Sequence, residues 1–157
     1  MIPKEKEIKE QQMDYIANQI NKLAGLNIFN NTRKREYIEA RSLFCLICYR
    51  YLKLTYEKIA IYLINKGKSS DHATVLHALK SYDIYSKYNA DLDIWLSEVL
   101  NCMDNLDRHK KLQLAYHKMK QLNNDNLEVL SEHLDILYKD EIEQKQINEY
   151  INETSES

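Results

Sequence analysis

Glycine and proline are nearly missing from this 157-residue chain, which has 2 Gly and 1 Pro, the proline being Pro3. Strand-rich folds need many tight turns, and tight turns lean on those two residues, so their scarcity points to an all-helical protein. Long apolar runs are missing too. The longest, Leu43 to Leu52, is interrupted by Arg50; it falls well short of the ~20 apolar residues that cross a bilayer and suits a buried helix. The opening residues, Met1-Ile2-Pro3-Lys4-Glu5-Lys6-Glu7, lack the apolar stretch of a secretory signal, so a cytoplasmic protein with no membrane partner is expected. Cysteine is sparse. Cys45 and Cys48 stand as C-x-x-C, a pattern of redox and zinc chemistry, but the pair lies in an apolar helical stretch and no second Cys or His pair follows at zinc-finger spacing. Both are expected to be buried structural thiols. His109, His117 and His133 match no metal spacing. No phosphate-binding G-x-x-x-x-G-K-[ST] occurs. No metal, cofactor or nucleotide is therefore expected, and with only the Cys pair and scattered His to offer, no catalytic site.

What is present is unevenly spread. Ile, Asn, Lys and Tyr are abundant, the residue usage of an AT-rich coding sequence. Arginine is scarce, and three of the five arginines (Arg33, Arg35, Arg41, Arg50, Arg108) fall between positions 33 and 41. A planar guanidinium suits phosphates, base edges and narrow minor grooves better than an ammonium does. Residues 29–80 hold ten Lys/Arg and four Asp/Glu, a net of +6, whereas residues 121–157 hold two Lys/Arg and ten Asp/Glu, a net of −8. A basic middle and an acidic tail suggest two jobs.

Periodicity divides the chain into helices. Ile16, Ile20 and Leu23 share one face of a first helix that Gly25 is placed to end. After the basic loop Asn30-Asn31-Thr32-Arg33-Lys34-Arg35, a central helix is expected from about Glu36 to Lys53, nearly all apolar after Ser42. Thr55 is placed to cap a short helix carrying Ile59, Ala60 and Leu63. A turn over Asn65–Ser70 follows, and Ser70 or Asp71 can cap a helix to about Tyr88. Helix then continues from Asp91 through Trp95 to Gln121. Asn123–Asn126 breaks it, and a last helix bears Leu127, Leu130, Leu134 and Leu137 as a heptad-like stripe, with a frayed polar end. The expected fold is thus a helical bundle over residues 1–103, with an acidic helical extension over residues 104–157. The helix from Thr55, the turn and the helix from Asp71 have the order of a helix-turn-helix, whose second helix enters a major groove.

One stretch is more specific. Asp71-His72-Ala73-Thr74-Val75-Leu76-His77-Ala78 closely resembles the signature of the C-terminal duplex-DNA-binding domain of the replication initiator DnaA family, usually D-H-T-T-V-x-H-A. Thr32-Arg33-Lys34-Arg35 with Ala40-Arg41 resembles that family's basic loop and the start of its long helix. Thr55-Tyr56-Glu57-Lys58-Ile59-Ala60 resembles the first helix of its helix-turn-helix. The likeness covers about residues 12–100 and implies sequence-specific binding of double-stranded DNA. By resemblance, His72, Thr74 and His77 contact bases, Ala73 offers a methyl to thymine, and Arg35 reads the minor groove. Arg33, Lys34 and Arg41, with Lys58, Lys66 and Lys68, would neutralise phosphates. Asp71 either accepts from a cytosine amino group or caps the helix. Five neutralised phosphates would give a slope of log K against log salt of about −4.5.

Departures from the family pattern shape the expectation. Its ATPase module is absent. The turn before the recognition helix is longer, Asn65-Lys66-Gly67-Lys68-Ser69-Ser70 in place of Gly-Gly-Arg. Ala73 replaces a threonine, and residues 101–157 have no counterpart. The implied role is a standalone factor in replication initiation or its control, or in transcription regulation, of a phage or mobile element. The tail is expected to pack on its own domain or form a helical hairpin with residues 104–121; alternatively it pairs two copies into a homodimer, shields the basic face when DNA is absent, or docks on a protein partner such as a host initiator. In that last case the chain would act as a non-enzymatic interaction protein.

Overall fold

The structure, a computed structural model, describes residues 5–155, and every regular element among them is an α-helix. There are six: α1 (Glu5–Ala24), α2 (Arg35–Arg50), α3 (Tyr56–Asn65), α4 (His72–Tyr88), α5 (Asp91–Met119) and α6 (Asn124–Ser155). The all-helical bundle read from the scarcity of Gly and Pro is therefore the observed fold class. The chain divides into two compact units, residues 1–105 and residues 106–157, and the boundary falls inside α5. No helix among the described residues is long and apolar enough to cross a membrane.

In the first unit α2 is the axis. It runs ten consecutive buried residues from Glu39 to Cys48, of which only Glu39, Arg41 and Ser42 are polar, as a largely apolar helix does when others cover it on all sides. α1 lays Met13, Ile16, Ala17 and Ile20 against it, the i, i+3, i+4, i+7 stripe of an amphipathic helix. Gly25 then takes φ +68 and its N–H bonds the Asn21 carbonyl at 2.9 Å, closing the C-terminus in the left-handed conformation that glycine adopts without strain. α2 stops at Arg50, three residues earlier than its apolar run suggested. Lys53 turns to φ +57 and the Leu54 N–H bonds the Cys48 carbonyl at 3.1 Å, so Leu52 and Leu54 fold back into the core from outside the helix. Their burial continued the apolar pattern beyond the helix itself.

α3 begins at Thr55, whose side chain accepts from the Lys58 N–H at 3.3 Å, and buries Ile59, Ala60, Tyr62 and Leu63. The Tyr62 ring sits between Phe29 and Phe44, with centroids 5.9 and 5.6 Å away, and donates its hydroxyl to Asp14 at 2.6 Å. α4 packs on both α2 and α3 through Val75 and Tyr82, seven residues apart and so on one face. Ser81 is buried as well, because a helix held by two neighbours buries a wider arc than a single stripe. Tyr82 donates to Asp93 at 2.9 Å, and the first half of α5 adds Leu92 and Val99 to the core.

The second unit holds the rest of α5 and all of α6. The connection is capped by Asn123, whose side chain accepts from the Asn126 N–H at 2.9 Å. α6 continues to Ser155, well past the fading of its leucine stripe. The polar end expected to fray is helical as far as Ser155, and the last two residues lie outside the described residues.

Candidate nucleic-acid interface

Three stretches far apart in sequence meet in the first unit: the loop 30–34, the connection 66–71, and the first two turns of α4. Together they border a cleft of about 810 Å³ lined by Arg33, Arg41, Lys68, Asp71, Thr74 and His77, with Ile38, Cys45, Leu63 and Val75 as its apolar wall.

Asn31 joins the loop to the connection. Its Nδ2 donates to the Gly67 carbonyl at 2.8 Å and its Oδ1 accepts from the Ser69 N–H at 3.0 Å. Gly67, at φ +95, makes the turn that offers both groups, and the Lys68 N–H closes α3 on the Leu63 carbonyl at 2.9 Å. Nothing in the sequence singled out Asn31. An Asn in a polar loop reads as an ordinary turn residue, and partners 36 and 38 residues away leave no local signal.

The cations divide into groups that sequence could not separate. Arg41, expected at a phosphate, is 9% exposed. Its Nε donates to the Tyr37 carbonyl at 3.0 Å and a terminal amino group donates to the Thr32 carbonyl, so it fixes the loop from beneath. Burial pushes its pKa down. Lys68 is half-buried and donates to the Ser69 carbonyl at 2.6 Å. Burial lowers its pKa, and the nearby positive charges of Arg41 and Arg33 lower it further. Three cations crowded in this way repel one another, a cost that an anion in the cleft would relieve. Arg33 and Lys34 are exposed, with no side-chain partner among the described residues. Arg35 opens α2 and pairs its Nε with Glu39 Oε1 at 2.7 Å; its own side chain is 68% exposed while that of Glu39 is 7% exposed. Glu39 also accepts from Asn89 Nδ2 at 2.9 Å. The ion pair raises the pKa of Arg35 and aims the guanidinium from a fixed anchor.

Lys58 and Lys66 lie elsewhere. Lys66 Nζ is 2.9 Å from Asp14 Oδ1 and 5.5 Å from the Tyr62 ring centroid. Burial raises the pKa of Asp14, but its bonds to Tyr62 and Lys66 outweigh that and hold it below the ordinary carboxylate value. Lys58 borders a separate groove with Lys6, Lys9 and Lys53 between α1 and α3. Neither lysine lines the cleft.

At the start of α4, Asp71 is the helix cap. Its Oδ1 accepts from both the Thr74 N–H and the Thr74 hydroxyl at 2.7 Å each. The hydroxyl bond, then the backbone bond, lower its pKa. Of the two roles open to Asp71 from sequence, capping is the one the geometry displays, and it commits the Thr74 proton. His72, Ala73, Thr74 and His77 are all exposed. His77 Nε2 stands 3.5 Å from the buried Ser81 hydroxyl, which limits the ring's swing without tying it tightly.

Cys45 and Cys48 are buried side by side on α2. Burial pushes the Cys45 thiol up to about 12 and raises that of Cys48 as well, the reverse of what a reactive or metal-binding thiolate needs. Among the described residues no group of three or more His, Cys, Asp or Glu is placed to hold a metal. Comparison of the chain with protein families, with curated proteins and with solved structures found no match.

Proposed function

We propose that this chain binds duplex DNA in a sequence-specific manner, with α3, the connection 66–71 and α4 acting as a helix-turn-helix and α4 entering the major groove. The observation that carries this reading is the cleft. It sets an unpaired Arg33 and the confined cation Lys68 beside the exposed, short-chained face of α4 that bears His72, Ala73, Thr74 and His77. Phosphate contacts position a protein and base contacts specify the sequence, and this surface offers groups for both within reach of one helix terminus. In this reading Arg33, Lys34 and Lys68 neutralise phosphates. His72, Ala73, Thr74 and His77 meet base edges, and Arg35 reaches a minor groove while tethered to Glu39. Arg41 and Asn31 position the loop, and Asp71 holds the start of α4. The chemistry is binding without catalysis, in replication initiation or its control or in transcription regulation.

The test is selection of bound duplexes from a random library at about 0.15 M salt, where nonspecific contacts are already weakened. An enriched motif lost on replacing His72 and His77 by Ala supports the reading. Absence of duplex binding even at low salt overturns it, as does enrichment indifferent to those two substitutions.

A further inference from the structure

Residues 106–155 offer apolar surface without a core. α6 buries none of its residues. Leu127, Leu130, Leu134, Leu137 and Tyr138 lie within about 100° of arc on one face at 100° per residue, and Leu137 and Tyr138 are 60% and 68% exposed. On the distal half of α5, Leu112 and Tyr116, one turn apart, are 58% and 59% exposed. Two helices that present stripes of this kind to water lack a covering layer.

Charge identifies the layer. Over residues 106–120, Arg108, Lys110, Lys111, Lys118 and Lys120 stand against Asp107 alone, a net of +4, while residues 121–157 carry a net of −8. Lys111 is already paired with Asp107 at 2.8 Å, and among the described residues no ion pair holds Arg108, Lys110, Lys118 or Lys120. A layer that covers both helices must bring acidic groups to α5 and basic groups to α6, each flanking an apolar stripe. A second copy of the same two helices, turned about a two-fold axis, supplies both at once, because every α5–α6 contact is then repeated. The lengths agree. Residues 106–119 rise about 21 Å, and the apolar part of α6, from Leu127 to Ile142, rises about 24 Å. We propose that residues 106–142 are a dimerisation element in which the basic half of α5 lies against the acidic α6 of a second copy, their apolar stripes forming a four-helix core. This does not depend on the DNA-binding reading and concerns different residues.

The test uses the full chain, with mass measured by light scattering and sedimentation equilibrium at micromolar concentration. A dimer has twice the 18.7 kDa of one chain. Leu134→Asp with Leu137→Asp is expected to yield monomers. A charge exchange reports without touching the apolar stripe. One variant carries Arg108→Glu, Lys111→Glu and Lys120→Glu, the cations that flank the Leu112 and Tyr116 stripe at 100° per residue, and the other carries Glu128→Lys, Glu132→Lys and Asp135→Lys. Each alone is expected to raise the dimer dissociation constant about tenfold or more through like-charge contacts. Mixing the two is expected to restore association as a heterodimer. A wild-type chain that stays monomeric, a larger open assembly, or charge variants that dimerise as well alone as mixed would each overturn the proposal.

Discussion

The salt dependence of DNA binding separates the surface expected from sequence from the surface that the folded chain presents. Counterion release gives a slope of about −0.9 in log K against log salt for each phosphate neutralised. Five phosphates predict about −4.5. The structure withdraws three of the six cations expected at phosphates: Lys66 is engaged with Asp14 at 2.9 Å, Lys58 lines a different groove, and both assigned donors of Arg41 serve backbone carbonyls. Arg35 has its charge compensated by Glu39. Arg33, Lys34 and Lys68 remain, so the expected slope is about −2.7. Raising salt from about 0.05 to 0.2 M then weakens binding about 40-fold, against about 500-fold for five contacts. The assay is a fluorescence anisotropy titration of the selected duplex at four or more salt concentrations, repeated on two single variants. Arg33→Ala is expected to bring the slope to about −1.8. Lys66→Ala is expected to leave it unchanged. A wild-type slope near −4.5 that falls by about 0.9 in Lys66→Ala would refute the reasoning, because the Asp14 pair would then have released its lysine to the phosphate.

Three other outcomes follow from the same geometry. Asn31→Ala removes two neutral hydrogen bonds between the loop and the connection; unfolding in urea is expected to show a loss of about 1 kcal/mol, with a larger proportional loss of DNA affinity, and unchanged affinity would refute the positioning role. Asp71 has its pKa lowered in the folded state, so its ionised form stabilises the fold above the ordinary carboxylate value of about 4, and that contribution disappears as pH falls through the lowered value. The wild-type chain should therefore exceed Asp71→Asn in melting temperature at neutral pH, with the gap narrowing on acidification, and a gap that widens in acid would contradict the assigned cap. Cys45 and Cys48 should resist a thiol reagent at about pH 8 in the native protein and react once it is unfolded; rapid native reaction of this pair would return redox chemistry to consideration.

Much of the fold was legible because helices advertise their buried faces. Ile16 with Ile20, and Val75 with Tyr82, recur at helical spacing and are buried as that spacing requires. The two glycines marked real turns, since both adopt positive φ, and Thr55 and Asp71 both cap helices. Contacts distant in sequence were illegible. Glu39 one turn after Arg35 could be read as a local ion pair, but Asn89, 50 residues on, supplies its second partner without any periodic signal. Lys66 looked like one more cation of a basic turn until α1 placed Asp14 beside it. Arg41 was harder still. A charged residue at the flank of an apolar run suits a phosphate contact and a buried loop anchor equally well, and only the positions of the Tyr37 and Thr32 carbonyls decide between them.

The start of α4 sets a limit on how selective a single copy can be. If the Thr74 hydroxyl keeps its bond to Asp71 at 2.7 Å, it meets a base only with its methyl group and its remaining acceptor capacity. Ala73 offers a methyl alone. Directed donors then come from His72 and His77, and neither imidazole makes the bidentate contacts by which Arg reads guanine or Asn reads adenine. In the proposed DNA-binding reading, three phosphate contacts and a few single base contacts make a weak head. Two such heads on one pair of half-sites convert the second contact into an intramolecular event, multiplying affinity without any new side chain. The proposed base readers on α4 and the proposed pairing of copies through residues 106–142 thus bear on the same shortfall. Selected sites should contain two spaced copies of a short motif, and variants that abolish the dimer should lower affinity for such sites far more than for a single copy.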